Sequence, residues 1–147
     1  IIGEVESDPF YPKMINVQHE IAVPSKSDAI CSALKTVSQM VGAVVNVTYT
    51  DSGNTSLRAA RERPVAPILS ITPHLSTARR LALAWGVHST VIDHDVKDVD
   101  EMVDAACRTA YSEGFAQEGD QLAIVAGMPF GQPGTTNLLR VAEIGKQ

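Results

Sequence analysis

Cysteine is scarce in this 147-residue chain: only Cys31 and Cys107 occur. Both stand in segments that read as helix, without the paired spacing of a zinc site or a disulfide framework. Reduced, buried thiols in a cytoplasmic protein are expected. Long apolar runs are also missing, since no stretch approaches 18 consecutive apolar residues. The opening Ile1-Ile2-Gly3-Glu4 lacks the charged-then-apolar layout of a signal peptide, so the expectation is a soluble chain that is not exported. Positive charge is in deficit, with 12 Lys and Arg against 17 Asp and Glu and a net charge of −5. Neutralising a nucleic acid or an anionic membrane needs clustered Lys and Arg, so neither is expected as a partner. Any anion site must be local.

Several chemical signatures are absent as well. No G-x-x-x-x-G-K-[ST] occurs, and no G-x-G-x-x-G follows the first strand with an acidic residue about twenty positions on, which removes the mechanical basis for P-loop and dinucleotide readings. The histidines, His19, His74, His88 and His94, include no i, i+4 pair and no H-E-x-x-H, so no metal site is expected. The acidic stretch Asp93, Asp95, Asp98, Asp100 and Glu101 lacks the glycine and closing glutamate of a calcium loop; it reads as charge gathered at a helix N-terminus. Cys107 lies among Val103, Ala106 and Ala110, a core setting and not that of a nucleophile. Trp85 reads as packing. No residue is read as catalytic.

What remains is ordinary globular material: 44% hydrophobic and 20% charged residues, far from the composition of disorder. A chain of this length buries roughly 68–70% of its unfolded surface, enough for one domain without staples. Ser25-Lys26-Ser27-Asp28 starts a helix whose apolar positions, Ala29, Ile30, Ala33, Leu34, Val37, Met40 and Val41, recur at three-and-four spacing up to Gly42. Ala43 to Thr48 is a β-branched run suited to a strand buried on both faces. The polar cluster Thr50 to Thr55 then opens a second helix. The alternation continues with a strand over Ala66 to Ile71, a helix over His74 to Ala84, a strand over Gly86 to Ile92, a helix over Val99 to Glu113 and a strand over Gln121 to Ala126. Such alternation predicts an α/β fold with a parallel sheet covered on both faces. The last strand, Asn137 to Ile144, follows its predecessor without a helix and is expected as an antiparallel edge. The first twenty or so residues, broken by Asp8-Pro9-Phe10-Tyr11-Pro12, look like a connection.

Ligands of open α/β sheets bind beyond the carboxyl ends of the strands, where helix N-termini present unpaired N–H groups. Two loops qualify. Thr50-Asp51-Ser52-Gly53-Asn54-Thr55 offers three hydroxyls beside a glycine that lets backbone approach an anion. A plainer role is open too, with Ser52 or Asn54 capping the helix and Gly53 easing the turn. The Gly/Pro-rich Gly127 to Thr136 segment either closes over a ligand or is an ordinary long turn.

The motifs Thr50-Asp51-Ser52-Gly53-Asn54-Thr55, Arg63-Pro64-Val65-Ala66-Pro67-Ile68, Thr72-Pro73, Thr77-Ala78-Arg79 and Trp85-Gly86-Val87 come in the order and spacing of one known family. So does the closing Gly131-Gln132-Pro133-Gly134-Thr135-Thr136-Asn137. From about Ser25 to Val141 the chain resembles the C-terminal domain of pyruvate kinase. The resemblance implies a Rossmann-like three-layer sandwich with a five-stranded, mostly parallel sheet whose last strand is antiparallel. It implies a cytoplasmic parent enzyme, a phosphotransferase making pyruvate and ATP from phosphoenolpyruvate and ADP with magnesium and usually potassium. Nothing here resembles that enzyme's catalytic barrel. The chain is therefore expected to be inactive alone, to hold no cofactor, to work with the rest of a pyruvate kinase chain and to form a homo-oligomer. Residues 1–24 are expected to be the connection from the barrel and residues 25–147 the domain.

By the same resemblance, Thr50, Ser52, Gly53, Asn54 and Thr55 bind the phosphate of an allosteric effector. The loop of Gly131, Gln132, Pro133, Gly134 and Thr135 folds over it. Asn54 stands where relatives often carry Lys or Arg, and the helix around Glu101 and Met102 lacks a basic residue that bisphosphate-responsive relatives use, so the resemblance favours a sugar monophosphate or AMP over fructose 1,6-bisphosphate. Two other readings are kept: a purely structural oligomerisation domain whose edge strand Leu138-Leu139-Arg140-Val141 pairs across a subunit boundary, and a stand-alone α/β protein that binds phosphate ligands.

Overall fold

The computed structural model describes residues 25–93, 96–127 and 136–145. The expected connection over residues 1–24, His94 and the loop Gly131 to Thr135 lie outside the described residues.

Helix α1 (Lys26–Val41) begins where the sequence supplies a reciprocal cap: the Ser25 hydroxyl accepts from the Asp28 N–H, and the Asp28 carboxylate accepts from the Ser25 N–H. It ends at Gly42, whose φ of 70° few other residues tolerate. There follow β1 (Val45–Tyr49), α2 (Asn54–Arg61), β2 (Ile68–Thr72), α3 (Leu75–Leu81), β3 (Val87–Val91), α4 (Val99–Ser112), β4 (Gln121–Ala126) and β5 (Leu138–Glu143). The second strand starts two residues later than its apolar run suggests. Pro67 has no N–H for the ladder, although its carbonyl accepts from the Asn46 N–H at 2.9 Å.

The five strands lie in the order β3-β2-β1-β4-β5. All neighbours are parallel except β4 and β5, which run antiparallel with Ala123 opposite Val141. From β1 the chain winds outward through β2 to β3, and α4 then carries it back to β4 on the other side of β1. The winding direction therefore reverses between β1 and β4, and the crevice beyond their carboxyl ends is where such sheets take ligands.

Alternation along the strands sorts side chains into two cores. Val45, Val47, Leu69, Ile71, Leu122 and Ile124 pack with Met102, Val103, Ala106 and Ala110 of α4. Ile68, Ala123 and Val125 pack on the opposite face with Cys31 and Leu34 of α1 and Ala59 of α2. Each fully buried large aliphatic contributes about 1.5–3 kcal/mol. The second face also buries a chain of hydroxyls: Thr48 to Ser56 at 2.7 Å, and Ser56 to Ser70 at 2.7 Å, joining β1, α2 and β2. The result is a three-layer α/β sandwich with an antiparallel last strand, as the alternation of elements implies.

Both cysteines are free thiols, Cys31 buried and Cys107 half-buried. Burial pushes the Cys31 thiol up to about 11, with Glu62 adding to the effect, so it stays protonated and unreactive at neutral pH. Trp85, expected as a packing residue, packs at the surface. It lies in the turn between α3 and β3, 42% exposed, with the Arg63 guanidinium 4.4 Å above its ring. No described helix is long and apolar enough to cross a membrane.

Candidate functional site

The loop from Thr50 to Gly53 leaves the carboxyl end of central β1 and turns directly into α2. Gly53 makes that turn at φ 94°, with Leu81 and Thr77 of α3 only 3.4 Å from where a Cβ would stand. A larger residue would meet both backbone strain and these two side chains. The Gly53 N–H donates to Thr50 Oγ1 at 2.7 Å, which closes the loop from inside. Thr50 itself is buried.

Gly53 is the N-cap of α2, and no side chain caps the helix. Neither Ser52 nor Asn54 takes the capping role: Ser52 Oγ stands 3.4 Å from the Asn54 N–H, a long contact, and Asn54 is already the first helical residue. An uncapped helix start leaves N–H groups unpaired by the helix itself and a partial positive charge at the strand ends.

Neighbouring elements hold the loop from three sides. Thr77 Oγ1 donates to the Asp51 carbonyl at 2.8 Å, and the Arg80 guanidinium donates to the Ser52 carbonyl. From the other side of the sheet's reversal, Thr136 Oγ1 meets Thr55 Oγ1 at 2.7 Å, both residues buried. Below the first turn, the Cys31 thiol points its hydrogen at the Thr55 carbonyl, 3.9 Å away. The Asp51 carboxylate stands 4.0 Å from His74 Nε2, so the loop carries one acid beside one arginine and one histidine.

Of the candidate residues, Thr50, Ser52, Gly53, Asn54 and Thr55 form this one turn, while Gly131, Gln132, Pro133, Gly134 and Thr135 lie outside the described residues. Thr136, at the end of that second loop, reaches Thr55 across 81 residues of sequence. The supporting roles of Thr77, Arg80 and Thr136 escaped sequence reading. Each is an ordinary polar residue whose partner is set by packing.

The arrangement offers hydroxyls, backbone donors and one guanidinium, the means of holding a ligand by hydrogen bonds. Among the described residues no group of three or more His, Cys, Asp or Glu is placed to hold a metal ion.

A family model described as the alpha/beta domain of pyruvate kinase matches residues 28–142. The chain belongs to the pyruvate kinase family, as its alpha/beta domain. Pyruvate kinase of Methylorubrum extorquens is 41% identical over 147 residues, covering all of this chain and 30% of that protein. One from Agrobacterium vitis is 37% identical over 145 residues, covering 99% of this chain and 30% of the relative. The pyruvate kinase of Clostridium acetobutylicum is 32% identical over 141 residues, with 96% and 30% covered. The chain thus spans about 30% of the length of each of these three relatives. The pyruvate kinase match encloses α2, α3 and the Thr50 to Thr55 turn, and its end at Ala142 falls inside β5.

Proposed function

We propose that this chain is the regulatory and assembly part of a pyruvate kinase, with the Thr50 to Thr55 turn receiving the phosphate of a small effector. The observation that carries this reading is the uncapped start of α2 at the carboxyl end of β1, with Gly53 in the left-handed region and hydroxyls on either side. An anion at such a helix start gains roughly 0.3–2 kcal/mol from the dipole alone. One arginine balanced by Asp51 suits a single phosphate better than two, so a sugar monophosphate or AMP is favoured over fructose 1,6-bisphosphate. The whole cytoplasmic enzyme would convert phosphoenolpyruvate and ADP to pyruvate and ATP. This chain would take no part in the chemistry and would need the rest of the pyruvate kinase polypeptide for it.

The test is an amide chemical-shift titration with ribose 5-phosphate, glucose 6-phosphate, AMP and fructose 1,6-bisphosphate. Saturable shifts at Ser52 to Thr55 that Ser52→Asp abolishes would support the reading. A folded chain whose loop amides do not move with any of the four would overturn it.

A second reading, assembly into a homo-oligomer, draws on β5, the last strand in the described sheet order, which within that sheet pairs with β4. Sedimentation of the chain at high concentration separates the two readings, since a strict monomer argues against assembly through that edge.

A further inference from the structure

We infer that His74 makes anion binding at the Thr50 to Thr55 turn depend on pH, by pairing with the Asp51 carboxylate when its ring is protonated. The inference rests on the reading of that turn as a phosphate site and adds a regulation to it.

A turn that receives a phosphate gains from local positive charge, yet this one carries an acid. Asp51 follows Thr50 within the turn, and its backbone is fixed there by the bond from Thr77 Oγ1 to the Asp51 carbonyl at 2.8 Å. The guanidinium at the turn, that of Arg80, is engaged with the Ser52 carbonyl. A bound anion therefore meets the Asp51 charge unless a second cation offsets it. His74 Nε2 stands 4.0 Å from Asp51 Oδ1.

The fold brings these two side chains together. Strands β1 and β2 are parallel neighbours with Tyr49 beside Ile71, so Asp51 and His74 leave adjacent strand ends. His74 is the residue before α3, with extended backbone at φ −109° and ψ 117°, and its N–H donates to Thr72 Oγ1 at 3.3 Å. Its ring makes no capping bond to α3. The side chain is 57% exposed, which keeps it in proton exchange with water.

The charges around His74 come from few elements. Asp51 faces it from the turn, and α3 carries Arg79 and Arg80 in its last turn. Strand β2 has no titratable side chain, and the one on β3, His88, meets Glu113 instead. Arg58 and Arg61 of α2 are drawn to Asp28. Asp93, after β3, is a further acid at this end of the sheet. Asp51 is thus the acid paired with His74.

Histidine is the side chain that ordinarily changes charge between about pH 8 and about pH 5. With a neutral ring, the Asp51 charge opposes an incoming anion. With a protonated ring, the pair is neutral and the helix start of α2 acts on the anion unopposed. Both side chains are partly exposed, so water screens the effect to about three-fold in affinity.

The experiment titrates the chain with inorganic sulfate at constant ionic strength, at about pH 5.5 and about pH 8, and reads the amide shifts of Ser52 to Thr55. Sulfate stays a dianion throughout, so the ligand itself adds no pH dependence. It should bind about three-fold more tightly at the lower pH, and His74→Gln should bring the two affinities together. Asp51→Asn should raise the affinity at about pH 8 by a similar factor and remove most of the pH dependence. His88→Gln, which removes a histidine that faces Glu113, should keep the full dependence. Equal pH dependence in the chain and in His74→Gln would overturn the inference and leave the turn an anion site. So would a dependence that survives Asp51→Asn in full. Sulfate that moves none of these amides at either pH would remove the anion site itself, and the inference with it.

Discussion

The two faces of the sheet bury different chemistry from the same strands. Toward α4, β1 presents Val45 and Val47, and the layer is closed by aliphatic contact. Toward α1 and α2, the same strand presents Asn46 and Thr48, both fully buried. There Cys31, Leu34, Ala59 and Val125 share the interior with the hydroxyl chain Thr48, Ser56 and Ser70. The apolar face supplies area, which is non-directional; the polar face supplies geometry, because each hydroxyl must find its partner or lose stability. The candidate turn grows from the polar face, since Thr55 and Ser56 are neighbours in the first turn of α2. Hydroxyls that lock α2 to β1 and β2 hold the helix start where a ligand would meet it.

If this contrast holds, the largest effect comes from the apolar face. Ile124→Ala should destabilise by about 2–5 kcal/mol, measured by urea unfolding, because a fully buried side chain is replaced by a cavity. A loss below that range would mean that the face can collapse onto the gap.

The sharper test lies opposite. Ser56→Ala removes the middle hydroxyl and leaves those of Thr48 and Ser70 short of a partner, a loss of about 1–3 kcal/mol. The combined Thr48→Val, Ser56→Ala and Ser70→Ala variant should recover most of it, since no buried hydroxyl is then left unpaired. A neutral single variant would erase the distinction between the faces.

The smallest effect is at the cap of α1, outside both cores. Ser25→Ala should cost about 1 kcal/mol. The Asp28 carboxyl is held below the ordinary 3.8 by its hydrogen bonds to the Ser25 backbone and side chain, with Arg58 and Arg61 adding to the effect. A depressed carboxyl stabilises the fold fully above its unfolded value and loses that contribution as pH falls through the folded one. The stability gap between the chain and Asp28→Asn should therefore be constant above about pH 5 and shrink below 3.8. A gap unchanged down to pH 2 would remove Asp28 from the cap.

Much of the fold was legible because its signals are local. Ser25 with Asp28 and the glycine at 42 mark both ends of α1, and the apolar runs mark every strand to within a few residues. The missing helix between β4 and β5 marks the antiparallel pair. The turn Thr50 to Thr55 was legible as a polar cluster between strand and helix. Its supports were not, because Thr136, Thr77 and Arg80 lie 81, 26 and 28 residues from their partners. Trp85 was legible as a packing residue but not in where it packs: it lies at the surface in the turn between α3 and β3, with the Arg63 guanidinium over its ring.

The sequence alone determined which stretches would become helix or strand, where caps and prolines would stop them, and that the last strand would turn back, because propensity, capping and chain direction act over a few residues. Tertiary structure decided the strand order, which face would take hydroxyls, what braces the turn and where apolar side chains would be left uncovered. Those outcomes depend on surfaces meeting across tens of residues, and no local pattern specifies which surfaces meet.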